Sequence, residues 1–215
     1  MTVRKHFKKH ILNLASKMNE DVAKKIYKMA EIFKPRTKRA LQDAVNLWCN
    51  NRERAQDKYG HISNWDTSLI TDMSFMFVNK INFNDDINGW NVSNVTNMES
   101  MFKETHNFNQ PLSNWNVSNV ENMRNMFYGS GFNNDINRWV VSNVRNMEGM
   151  FDDASSFNKP LNNWDVSNVR NMAYMFNTTL HFNQDINRWV VSNVRNMTDM
   201  FEESSMEDLP DWYRE

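Results

Sequence analysis

Cysteine is nearly absent from this chain. Cys49 stands alone among 215 residues, so no intrachain disulfide can form, and a single thiol is consistent with a reducing compartment. Also missing is any apolar run near the ~18 residues that a membrane-spanning helix needs. The basic N-terminus, "MTVRKHFKKHILNLASKM", has neither a long apolar core nor a small-residue cleavage site, so it makes a poor signal peptide. These lacks predict a protein with no transmembrane segment and no export signal, located in the cytoplasm or within a virus particle.

Catalytic chemistry is equally thin. The histidines His6, His10, His61, His106 and His181 are scattered, and no nucleophile–base arrangement accompanies them. Asp86, Asp135 and Asp185 recur at one spacing, but Pro111 and Pro160 interrupt them and break any continuous metal ladder. The expectation is a non-enzymatic protein with no catalytic residues, no metal, no cofactor and no small-molecule substrate.

What is present is a repeat. Trp65, Trp90, Trp115, Trp139, Trp164 and Trp189 lie 25, 25, 24, 25 and 25 residues apart. Each opens a phrase ending in Met-x-x-Met-Phe, as in "WNVSNVENMRNMF" from Trp115 to Phe127, and 12 of the 16 methionines sit in those pairs. A period near 25 indicates units that stack one on the next. Leu112, Trp115 and Val117 have the i, i+3, i+5 spacing of a leucine-rich repeat strand. Val120, Met123, Met126 and Phe127 have the stripe of a short helix, with Ser118 and Asn119 as candidate caps. The short spacing coincides with "FYGSGF", where two glycines are expected to absorb a deleted residue through positive φ. The reading is an α/β repeat solenoid of about six strand–helix units, its core formed by the six tryptophans and the methionines. The recurring asparagines, Asn94/119/143/168/193 and Asn97/122/146/171/196, are expected to bond backbone groups in turns.

These phrases resemble the BspA-type surface-protein repeat, a leucine-rich-repeat-like unit also known as a domain of unknown function, DUF285. "LQDAVNLWCNNRERAQDKYGHISNWDTSLITDMSFMF" resembles the segment that opens such arrays. The family occurs in bacterial surface lipoproteins, protists and large DNA viruses. The resemblance implies adhesion or interaction rather than catalysis. The weak signal peptide places the chain nearest the non-exported viral or protist members.

The remaining sequence divides by charge. Residues 1–60 hold 15 Lys and Arg against 6 Asp and Glu, a net of +9, which leaves −10 on residues 61–215. The predicted domains are a basic helical head over 1–36, an amphipathic capping helix over 37–60, and six repeats over 61–205. A truncated seventh strand, "LPDWYRE", and an acidic cap follow over 206–215.

Function then rests on surfaces. Outward residues flanking each tryptophan, Asn114, Asn116, Arg138, Val140, Asn163, Asp165, Arg188 and Val190, mix polar and apolar groups in a way that suits a protein partner. The first reading is therefore a protein-interaction or structural scaffold module, acting through a partner or through self-assembly, as in a larger viral particle. The alternative is an anionic partner, nucleic acid or lipid, met by Lys5, Lys8, Lys9, Lys24, Lys25 and Lys28 of the head.

Overall fold

A computed structural model describes residues 32–213 of the chain. The expected head therefore lies largely outside the described residues.

Two helices open the described part. α1 spans Lys38–Asn50 and α2 spans Arg52–Tyr59. Thr37 caps α1, its hydroxyl accepting from the Ala40 N–H at 3.2 Å. Leu41, Ala44, Val45 and Trp48 form its buried stripe. Where one capping helix is expected over 37–60, the chain is broken at Asn51. That residue sits at φ −151°, ends α1 by donating its N–H to Leu47 O, and caps α2 by accepting from Arg54 N. Gly60, at φ 73°, closes α2.

Beyond α2 the chain winds into successive coils, one per tryptophan phrase. Isolated parallel bridges join Asp72, Asn97, Asn122, Asn146, Asn171 and Asn196 in sequence, so each coil lies in register on the one before. The inside of a coil differs from the strand–helix expectation. Leu112–Val117 forms turns, with Trp115 N–H bonded to Leu112 O at 3.1 Å. The pairing falls instead on Asn122, and no α-helix occurs within the coils among the described residues.

The reason lies in how the backbone N–H groups are shared. Those of Met123, Asn125, Phe127 and Gly129 point along the stack to Asn146, Glu148, Met150 and Asp152 carbonyls, at 2.8–2.9 Å. The intervening Met126, Tyr128 and Ser130 close turns back to Met123, Asn125 and Phe127. A helix would consume every one of these donors within its own segment. Alternation frees half of them for the neighbouring coil, at the cost of positive φ twice per coil, as at Asn125 (52°) and Gly129 (60°). The three-residue turn also spaces Met123 and Met126 like helix neighbours, which explains the helical stripe.

A second wall of each coil bonds in the opposite direction. Arg145, Arg170 and Arg195 N–H groups donate backwards to Glu121, Arg145 and Arg170 carbonyls. Each tryptophan indole from Trp90 onward does likewise, as Trp115 to Ile87 O at 3.1 Å and Trp164 to Ile136 O at 3.1 Å.

Between the walls run columns of buried side chains. Phe77, Phe102, Phe127, Phe151, Phe176 and Phe201 stack at 5.4–5.7 Å between ring centres. Phe83, Phe108, Phe132, Phe157 and Phe182 form a parallel column. All six repeat tryptophans are buried, and the pairs Trp65–Trp90, Trp115–Trp139 and Trp164–Trp189 stack at 6.1–6.4 Å. The Met-x-x-Met pairs fill the remaining interior through coil 5, whereas Met197 in the last coil is only partly buried.

The two glycines of "FYGSGF" have different duties. Gly129 has positive φ at a site where Glu104 and Asp153 also have it, so it does not mark the deletion. Gly131 is the tight point, since a Cβ there would lie 2.1 Å from His106 O.

Candidate interaction surface

Outward positions are fixed by the turns on either side of each tryptophan. Asn114, Asn116, Arg138, Val140, Asn163, Asp165, Arg188 and Val190 are all exposed. Some are partly engaged by the backbone. Asn116 Oδ1 and Asp165 Oδ1 accept from Ser118 N and Ser167 N at 3.1 Å. The Ser167 hydroxyl and N–H hold the Asp165 carboxyl below the usual carboxylate range. Val140 and Val190 have no such role, yet remain 56% and 57% exposed. They occupy one repeat position two coils apart, with Asp165 between them. A shallow depression of about 300 Å³ adjoins Arg138, Val140, Asn163 and Asp165. Lys5, Lys8, Lys9, Lys24, Lys25 and Lys28 lie outside the described residues.

The asparagine columns are structural. Asn94, Asn119, Asn143, Asn168 and Asn193 donate through Nδ2 to Ser68, Ser93, Ser118, Ser142 and Ser167 carbonyls of the preceding coil at 2.7–2.9 Å. Asn97, Asn122, Asn146, Asn171 and Asn196 accept through Oδ1 from the N–H two residues on. Asp86, Asp135 and Asp185 do the same for Asn88, Asn137 and Asn187, which accounts for their recurrence. Among the described residues no three His, Cys, Asp or Glu side chains gather as metal ligands.

Sequence reasoning missed one feature. The residue before each Asn-Met, or Asp-Met in the first coil, is Thr71, Thr96, Glu121, Arg145, Arg170 and Arg195 in turn, so the last three coils carry an arginine column. Alone, each arginine looks like an ordinary exposed charge, and only alignment of the repeats shows the run. With Asn143, Asn168 and Asn193 the arginines line a polar groove of about 230 Å³. Arg145 Nη1 pairs with Glu121 Oε2 at 3.0 Å. Arg170 and Arg195 have no acidic partner among the described residues.

Another cluster surrounds Tyr128. Lys103 Nζ lies 4.2 Å from the centre of its ring. Burial, followed by the nearby carboxylates Asp152, Glu104 and Asp153, pushes the phenol up. Asp152 itself is pushed up to about 6, chiefly by burial and with a further push from Asp153, while a hydrogen bond from Thr178 Oγ1 opposes the shift.

No helix among the described residues is long and apolar enough to cross a membrane. The family described as "Mycoplasma protein of unknown function, DUF285" matches residues 45–141 and 129–212. Neither curated proteins nor solved structures yield a match.

Proposed function

We propose, from the premise that this chain belongs to the DUF285 family, that it is a leucine-rich-repeat-like solenoid working as a non-enzymatic protein-interaction or scaffold module. The observation that carries this reading is the pair Val140 and Val190. Two branched apolar side chains stay more than half exposed at one repeat position, beside Arg138 and Arg188, while the interior is closed by its own columns. Apolar groups ringed by polar ones, on a backbone ordered before binding, suit a protein partner. The partner is another protein or a further copy of the chain in an assembly, such as a virus particle.

The test is capture by the intact protein against Val140→Asp with Val190→Asp. Both changes are on exposed side chains, so the thermal midpoint should hold while capture of the partner, or self-association by light scattering, is lost. Unchanged capture by a folded double variant would reject this face. The second reading is binding of nucleic acid or lipid by the head, favoured by the net +9 over residues 1–60. Capture that disappears after nuclease treatment would favour nucleic acid, and loss on reversing Lys24, Lys25 and Lys28 would place it in the head.

A further inference from the structure

We propose that the column Arg145–Arg170–Arg195 is a binding site for a small polyphosphate, a chain of two or three linked phosphoryl groups. Three guanidinium groups sit at one repeat position on consecutive coils. Coils paired through parallel bridges rise by about 4.8 Å, so the column spans about 10 Å. Like charges so placed repel each other, and among the described residues this is relieved at one end, where Glu121 holds Arg145 at 3.0 Å. Arg170 and Arg195 are exposed and free to turn their planar forks onto phosphoryl oxygens, the geometry that arginine fits best. Asn143, Asn168 and Asn193 are tethered to the coil behind by 2.7–2.8 Å bonds, so this wall of the groove is ordered before a ligand arrives.

The length of the site selects the ligand. Toward the N-terminal coils the column stops at Glu121, with neutral Thr96 and Thr71 beyond it. A polymeric anion would run from the arginines onto the Glu121 carboxylate, whereas a short phosphate chain is neutralised within three coils. An extended acidic peptide fits less well. Its carboxylates on one face repeat every ~6.7 Å, out of step with a ~4.8 Å rise.

Titration calorimetry of the full chain with sodium tripolyphosphate tests the assignment. The wild type should bind tripolyphosphate at least 10-fold more tightly than orthophosphate, with affinity falling as salt rises. Arg170→Gln with Arg195→Gln should weaken tripolyphosphate binding at least 10-fold and leave the ligand-free thermal midpoint unchanged. Arg138→Gln with Arg188→Gln, on the face beside the tryptophans, should bind as wild type does. Undiminished binding by the column variant would overturn the site, as would binding lost only on reversing Lys24, Lys25 and Lys28. A single-stranded oligonucleotide that binds through the arginines more tightly than tripolyphosphate would overturn the small-ligand assignment in favour of nucleic acid. Should the column variant unfold, the milder Arg170→Lys must still weaken binding while folded, and wild-type binding by it would equally reject the site.

Discussion

The two ends of the stack are finished differently. At the N-terminal end, α1 lies across the first coil and meets its polar groups. Gln42 Nε2 donates to Met76 O at 2.9 Å, and Lys38 reaches the Asp72 carboxylate at 3.1 Å and the Ser74 hydroxyl. Trp48 covers Trp65 edge-on at 6.0 Å, and its indole donates to Asp85 at 2.9 Å. At the C-terminal end the described residues cover the aromatic side. Trp212 stacks on Trp189 at 6.2 Å and donates to Ile186 O, as each repeat tryptophan from Trp90 onward does to the segment before it. The forward N–H groups of Met197, Asp199, Phe201 and Glu203 have no partner among the described residues. The helix supplies a side-chain donor and an apolar surface to the coil it covers, whereas the Trp212 segment repeats one aromatic column.

This contrast can be broken from either end or from the middle. The largest effect belongs to the interior. Trp115→Ala should cost about 3–5 kcal/mol in chemical denaturation, whereas half-buried Trp212 should cost within about 0.5–3 kcal/mol. Equal losses would mean that the end is as tightly held as the middle. Next, Gln42→Ala leaves the Met76 carbonyl without its donor and should cost about 1–3 kcal/mol. A neutral result would show that water seals this end as well as α1 does.

Smaller effects sharpen the account of the backbone. Tyr174, at φ 59°, and Gly149, at φ 58°, hold one repeat position in neighbouring coils. Left-handed backbone strains a side-chain residue by about 1–2 kcal/mol. Tyr174→Gly should therefore raise the thermal midpoint, and Gly149→Ala should lower it. The same sign for both would remove the positive-φ explanation of the alternating bonds.

The smallest effect is set by pH. The Asp152 carboxyl is raised to about 6 in the folded chain, so the folded state binds its proton more tightly than the unfolded state does. Stability should therefore fall as pH rises from about 4 through 6, and Asp152→Asn should flatten that slope. An unchanged slope would place the titration elsewhere.

Much of this was legible in the sequence. The tryptophan spacing gave the period and the buried columns, and the recurring asparagines pointed to turn backbone groups. What was not legible is the local conformation. A three-residue spacing of Val120, Met123 and Met126 is shared by a helix and by overlapping turns, and only the sharing of N–H groups between coils separates them. Positive φ was hidden because Phe75, Ser100, Asn125, Tyr174 and Asp199 occupy positions where glycine would have signalled it. "LPDWYRE" kept the Leu-x-x-Trp spacing, yet Leu209 is 40% exposed, Pro210 is buried, and Asp211–Tyr213 forms a 3₁₀ turn. The arginine column was invisible until the repeats were set in phase. The outward face was readable as exposed positions, because those follow from the buried tryptophans between them.

The opposed bonding of the two walls has a consequence for growth. In an α-helix all peptide dipoles add, and charge accumulates at the ends. Here one wall sends four backbone amides per coil forward and the other sends one back, so their dipoles cancel only in part. The final coil is a two-part key, offering amides on one wall and carbonyls such as Arg195 O on the other. Only a segment of the same hand, set in the same phase, can satisfy both walls at once. A neighbour slipped by one residue would set these amides against carbonyls already used in turns, as Met147 O and Phe151 O are, so the stack proofreads its own extension.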